Sequence, residues 1–307
     1  MYSISAGGIV VLYKIVGIGE VLWDVFPHSR KLGGAPANFV YFVKKLGQNG
    51  LVTSKVGDDF LGKEIMDSLF KLGLAGDFIQ IDSEHPTGTV DVKIDDNGQP
   101  DYIINKNVAW DFLEFSDRWK KLAKEADVIC FGTLAQRSLK SRRTIIDFLK
   151  MARSSTIKVF DINLRQNFYS LKTISQSLEL TTILKLNTEE LVILKNLMGY
   201  SSEKNDINFC RRLMNEYGIK LVCLTMGEDG SLLIDESDYY NHPGYKISVA
   251  DTVGAGDAFT AAMVIQYLEG RTLEEMSNSA NRLGSWVSSQ IGPTPVLDEE
   301  IKELFYK

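Results

Sequence analysis

Short β-branched runs alternate with longer amphipathic runs along nearly the whole chain, and this rhythm restricts the fold more than any other feature. Residues 15–19, 51–56, 127–131, 158–162, 182–186, 220–225 and 231–234 read as strands. Residues 37–46, 61–72, 139–152, 174–180, 189–197 and 207–217 read as helices. The first of these has Pro36 near its start and Gly47 at its end, which suits a helix with a proline entry and a glycine stop. Residues 257–268 and 273–289 close the chain as two more helices. Apolar strands interleaved with helices imply an α/β fold, with a mostly parallel central sheet covered by helices on both faces. Such sheets bind ligands at the carboxyl ends of their strands.

One stretch departs from this rhythm. Residues 89–94 alternate apolar and polar, Asp95-Asp96-Asn97-Gly98 is a turn signal, and 102–104 follow as a second strand. The pattern fits either an ordinary surface hairpin or a small β lid over a site. The first 13 residues hold an apolar run, 9–12, too short to span a bilayer, and read as a loose extension. Residues 14–307 then form one domain, with any lid drawn mainly from about 20–30 and 88–108. No other segment is apolar enough to cross a membrane, so a cytoplasmic location is expected.

The formal net charge is −6. A mildly acidic chain has no general attraction to nucleic acid or to an anionic membrane. An anionic ligand therefore needs a local device, such as backbone amides, a bound metal or one or two placed cations. Cys130, Cys210 and Cys223 form no CxxC and read as reduced core residues. His28, His85 and His242 lie far apart, without metal-ligand spacing or a local triad motif.

The strongest chemical signal is Asp251-Thr252-Val253-Gly254-Ala255-Gly256-Asp257, which runs straight into a helix. Its glycines permit unusual backbone shapes and close approach. Unpaired amides at the start of a helix, with the positive end of its dipole, form an anion site. Asp257 falls in the first turn, where the dipole favours the charged carboxylate. It suits either a capping role or a proton acceptor in phosphoryl transfer, where positioning outweighs base strength.

Two motifs in order carry a resemblance. Asp251 to Asp257 is similar to the C-terminal motif of the ribokinase-like (PfkB) carbohydrate kinases. Gly33-Gly34-Ala35-Pro36-Ala37-Asn38 resembles that family's sugar motif. Gly19-Glu20-Val21-Leu22-Trp23-Asp24 and Phe160-Asp161-Ile162-Asn163-Leu164-Arg165 look most like bacterial fructokinases. The resemblance runs from Ile15 to Pro295.

It implies a ribokinase-like fold with Asp257 as catalytic base and the amides of Gly254, Ala255 and Gly256 around the transferred group. Asp24, Gly33, Gly34 and Asn38 would meet the sugar. Asn105, Asn107 and Arg165 are further candidates there. Asn187 and Glu190 match an N-x-x-E element that organises Mg²⁺ through water, although Glu190 alone reads as a first-turn helix acid. Thr225, Gly227, Gly230 and Asn281 would border ATP, although Asn281 alone reads as surface polar. Asp251 and the carbonyl of Val253 match a monovalent cation site, K⁺ being the candidate.

The expected reaction is ATP plus a sugar giving ADP and a sugar phosphate, with fructose to fructose 6-phosphate preferred. Ribose, 2-keto-3-deoxygluconate or a nucleoside are alternatives. A non-catalytic sugar- or nucleotide-binding regulator is the rival from another class. A nicotinamide oxidoreductase is disfavoured because Gly17-Ile18-Gly19-Glu20-Val21-Leu22 has no third glycine. A homodimer through an exposed lid edge is also expected.

Overall fold

The structure, a computed structural model, describes residues 2–5, 8–94, 100–303 and 305. β1 (Tyr2–Ser5) and β2 (Gly8–Val11) pair antiparallel as a sheet of their own. The loose extension expected here is instead a hairpin, which satisfies the backbone groups of a short segment by folding it back on itself. Then come β3 (Lys14–Ile18), β4 (Leu22–Phe26), β5 (Ser29–Gly33), α1 (Ala35–Lys45), β6 (Asn49–Gly57) and α2 (Phe60–Lys71). β7 (Phe78–Asp82), β8 (Thr89–Ile94), β9 (Pro100–Ile104), α3 (Asp117–Glu125), β10 (Val128–Phe131) and α4 (Leu139–Met151) follow. The turn read at 95–98 lies outside the described residues.

The second half contains β11 (Ile157–Asp161), α5 (Leu171–Leu178), β12 (Ile183–Asn187), α6 (Thr188–Leu197) and α7 (Asp206–Tyr217). β13 (Leu221–Thr225), β14 (Ser231–Asp235), β15 (Tyr239–His242), α8 (Ala255–Leu268), α9 (Leu273–Ser288) and α10 (Glu299–Glu303) complete it.

The main sheet runs β15-β14-β13-β12-β11-β10-β3-β6-β7. Its strands are parallel from β13 to β7, and β14 and β15 turn back antiparallel. Alternate side chains enter two separate cores, as the pleat requires. Ile15, Val128 and Ile183 join α1, α2, α8 and α9 on one face. Val16, Ile129 and Leu184 join α3 to α7 on the other. Burial on both faces explains why these strands are continuous apolar runs.

The elements that periodicity does not reveal are short, polar or peripheral. β5 reads Ser-Arg-Lys-Leu-Gly and is largely exposed. α3 buries only Trp119, Leu122 and Ala123. β7 and β15 are the two edges of the main sheet.

A second sheet, in the order β5-β4-β8-β9, stands apart from the first. It is tied to the body. Trp23 Nε1 donates to the Leu61 carbonyl at 3.0 Å. Arg30 pairs with Glu64 and lies over the rings of Trp23 and Phe60. Asp59 serves at the root of this sheet, capping α2 through Gly62 N at 2.7 Å and accepting from Thr87 N at 2.8 Å and Thr87 Oγ1 at 2.6 Å. These bonds outweigh partial burial and hold its carboxyl below the ordinary value.

Replacing Asp59 with Ala should cost about 1–2 kcal/mol of unfolding free energy in urea denaturation, the usual range for a lost cap. An unchanged midpoint would contradict this role for the carboxylate.

Candidate active site

The two longest-range motifs meet at the carboxyl ends of the central strands. α1 begins after Gly34, at φ 115°, where a Cβ would lie 2.5 Å from the Glu20 carbonyl. Only glycine fits there. α8 begins after Gly254, at φ 83°, where a Cβ would lie 2.4 Å from the Pro293 carbonyl. The first turns of these helices face each other. Asn38 Nδ2 donates to Asp257 Oδ2 at 2.9 Å, across 219 residues of chain. Asp257 lines a pocket with Glu20, Pro36, Phe39, Cys130, Gly132, Asp161 and Asn163.

Asp257 is not the readily ionised acid that the helix dipole suggests. Burial, and then the charge of Asp161, push it up from 3.8 to about 7. Asn38, Lys185 and Arg165 pull the other way without balancing this. A carboxyl poised near neutrality is a stronger base than an ordinary aspartate. Burial also raises Glu20 to about 7, opposed by its own amide, Arg165, the Ala35 amide and Arg137. It raises Asp24 to about 6, opposed by Arg165 and Lys31. Asp24 explains Gly33, where a Cβ would lie 2.6 Å from Asp24 Oδ2.

Arg165 is exposed, yet its charge acts on Glu20, Asp24 and Asp257, so it faces this acidic group. The loop carrying it holds Asn163 and Gln166 at φ 41° and 48°, backbone shapes unusual for non-glycine residues. Gln166 Nε2 donates to the Tyr102 carbonyl, joining this loop to the small sheet. Asn105 is less available. Its side-chain amide donates to Thr89 Oγ1 at 2.7 Å and Asp91 Oδ2 at 3.0 Å, while its backbone carbonyl accepts from Arg137. Asn107 has φ 57°.

The other candidates flank the pocket rather than line it. Glu190 and Asn187 form a reciprocal cap at the start of α6, both bonds at 2.8 Å. Glu190 also accepts from Leu164 N at 2.8 Å, which ties α6 to the Arg165 loop. Burial raises its carboxyl, opposed by Lys185. Thr225, Gly227 and Gly230 sit at the β13–β14 turn. At Gly230 a Cβ would collide with the His242 carbonyl. Asn281 is buried, not a surface residue. It donates to Ser231 Oγ at 2.7 Å and the Ser277 carbonyl at 2.8 Å, fixing α9 to β14. Asp251 accepts from Val253 N at 3.1 Å and Gly292 N at 3.2 Å, with Lys31 Nζ 3.5 Å away.

Glu20, Asp161 and Asn163 lie inside motifs that the sequence singles out, but no role falls to them there. Lys185 belongs to the same group without lying in any motif. Its only signal is a lysine in an otherwise apolar strand, and it pairs with Asp161 at 3.0 Å.

The family model described as pfkB family carbohydrate kinase matches residues 14–300, and the chain belongs to that family. A sugar kinase of Pyrococcus horikoshii is 28% identical over 314 residues, covering 95% of this chain and 96% of the relative. The crystal structure of that uncharacterized kinase with ATP superposes at a TM-score of 0.80, with 26% identity over 94% of this chain and 99% of the other. Escherichia coli fructokinase is 27% identical over 264 residues, 82% of this chain and 83% of the relative. Thermotoga maritima 2-dehydro-3-deoxygluconokinase shares the fold at a TM-score of 0.83 and 20% identity, over 95% of this chain and 98% of the other. The protein is thus a sugar kinase of this family on a ribokinase-like α/β fold. Among the described residues, no helix is long and apolar enough to cross a membrane.

Because the folded chain holds a proton on Asp257 that the unfolded chain releases, this group stabilises the fold below about pH 4. That contribution falls away as pH rises toward 7. Asn38→Ala removes the bond that favours the carboxylate, so Asp257 should titrate higher than in the parent by carboxyl-detected NMR. An unchanged or lower titration would contradict the link.

Proposed function

We propose that the protein transfers the γ-phosphoryl group of ATP to the 6-hydroxyl of fructose. The observation that carries this reading is the Asn38–Asp257 bond at the mouth of α8. It joins a sugar-type motif to an anion-type helix start in one pocket.

Asp257 is the base. It accepts the proton as the sugar oxygen bonds to phosphorus and the bond from phosphorus to the β–γ bridging oxygen breaks. The amides of Gly254, Ala255 and Gly256 face the charge gathered on the transferred group. Asp24 accepts from sugar hydroxyls, and the loss of a side chain at Gly33 lets it stand close to the backbone. Arg165 completes the charge balance above the acids. Closure of the small sheet, as a lid, would exclude water that competes for the phosphoryl group.

Mg²⁺ fits as a partner of the nucleotide rather than of a protein cage. Among the described residues, no cluster of three acidic, histidine or cysteine ligands exists. Glu190 spends each oxygen on a backbone amide, yet a carboxylate retains acceptor capacity for water. Bound Mg²⁺ would neutralise phosphate charge. A monovalent cation at Asp251 would have to share it with Lys31.

Fructose is favoured over a keto-acid sugar by the lining itself. Glu20, Asp161 and Asp257 line the pocket with carboxyl groups, which suits a neutral polyol better than a sugar that brings a carboxylate of its own.

ADP release should be followed with ATP, Mg²⁺ and a panel of fructose, ribose, 2-keto-3-deoxygluconate and nucleosides. Fructose should lead in kcat/KM by at least about tenfold, the scale of one well-made hydroxyl contact. A keto-acid or nucleoside in first place would contradict the fructose assignment. No turnover with any of them would favour a non-catalytic binder.

A further inference from the structure

Lys185 is a buried lysine in the middle of the main sheet. β12 lies between β11 and β13, and its neighbours Leu184 and Leu186 are fully buried. The strand's alternation sends Ile183 into the core shared with α8, so Lys185 points the same way. Lysines are almost never buried unless paired. Here Nζ lies 3.0 Å from Asp161 Oδ1, with side-chain exposures of only 10% and 9%.

The ammonium sits directly beneath the start of α8. A Cβ placed on Gly256 would lie 3.2 Å from Lys185 Nζ, so glycine is what lets the two come together. Thr260 closes the arrangement, with its Oγ1 2.8 Å from the Gly256 carbonyl and 3.3 Å from Asp161 Oδ2. An ammonium has three donors. Among the described residues, its one hydrogen bond goes to Asp161. Burial opposes the charge, but Asp161 and Glu190 outweigh burial and keep the group ionised.

A buried ion pair is weak evidence of a stabilising role, because apolar replacements of similar volume are often as stable. The position of this pair has a clearer electrostatic consequence. The pocket is lined by acids, and an acid-lined pocket repels a polyphosphate. A fixed cation behind the helix mouth offsets part of that field where the helix opens.

We propose that Lys185, held by Asp161, is a positioning cation under the Gly254–Gly256 loop that favours the phosphoryl group in transfer. It acts through the loop and leaves sugar binding to other residues. This inference rests on the kinase reading above.

The test compares the parent with Lys185→Met and with the double variant Lys185→Met/Asp161→Asn, which removes both charges together. Lys185→Met should lower kcat by about 10²–10³-fold, the scale of one lost transition-state donor. The KM for sugar should change by less than about threefold, because ground-state sugar binding is untouched. Its acid limb should move to higher pH. Asp257 then faces Asp161, Glu20 and Cys130 with Arg165 as the opposing charge, and keeps its bond to Asn38. The double variant should regain the parent's thermal midpoint and shift the acid limb back down, yet stay slow. A double variant with the parent's kcat would overturn the proposal and leave the pair a structural one. If Lys185→Met does not fold, the double variant decides alone. A parent chain that releases no ADP with any sugar would overturn the kinase reading and this inference together.

Discussion

The hydrogen bond from Asn38 to Asp257 is the point on which the rest of the site depends. It fixes the first turn of α1 against the first turn of α8, and so decides where the amides of one helix open relative to the sugar-facing loop of the other. Both helices start at glycines that no other residue could replace without collision. The approach is therefore set by backbone geometry first, and the side-chain bond then orients the carboxylate.

Charge balance constrains the same site. Glu20, Asp161 and Asp257 line one pocket, and Asp24 on β4 of the small sheet lies under the same Arg165 charge, in a chain that is already acidic. Burial, joined at Asp257 by the charge of Asp161, holds three of them above the ordinary carboxylate range. The opposing charges come from Lys185 below the helix mouth and Arg165 above it. The raised Asp257 carboxyl follows first from burial and then from Asp161, which together outweigh the pull of the helix dipole. It is also what a proton acceptor working near pH 7 requires.

Much of the fold was legible because the central strands are buried on both faces and so read as unbroken apolar runs. The eight helices expected from periodicity are all present, with ends displaced by a few residues. The small sheet was half visible. β8 and β9 alternate, whereas the polar β5 owes its strand to pairing with β4 rather than to its own pattern. At the site, the glycine motifs and Asp257 were legible because close approach demands glycine. Lys185 was not, since one lysine in a strand says nothing of the Asp161 carboxylate that the neighbouring strand β11 brings beside it. The neutral tendency of Asp257 was equally hidden, because it arises from burial in the folded pocket and then from Asp161, almost a hundred residues away in sequence. Asn281 misled in the opposite direction. Its amide pairs with serines on β14 and α9, which sequence alone cannot bring together.

The account's central claim is that Asp257 takes the proton from the acceptor alcohol. The most direct measurement is phosphoryl transfer in a single turnover by Asp257→Asn, with fructose binding measured by calorimetry on the same preparation. The account predicts a rate lowered by at least about 10²–10⁴-fold, the range for loss of a general base, with fructose affinity within about threefold of the parent. Transfer at the parent rate by a variant that binds fructose normally would contradict it.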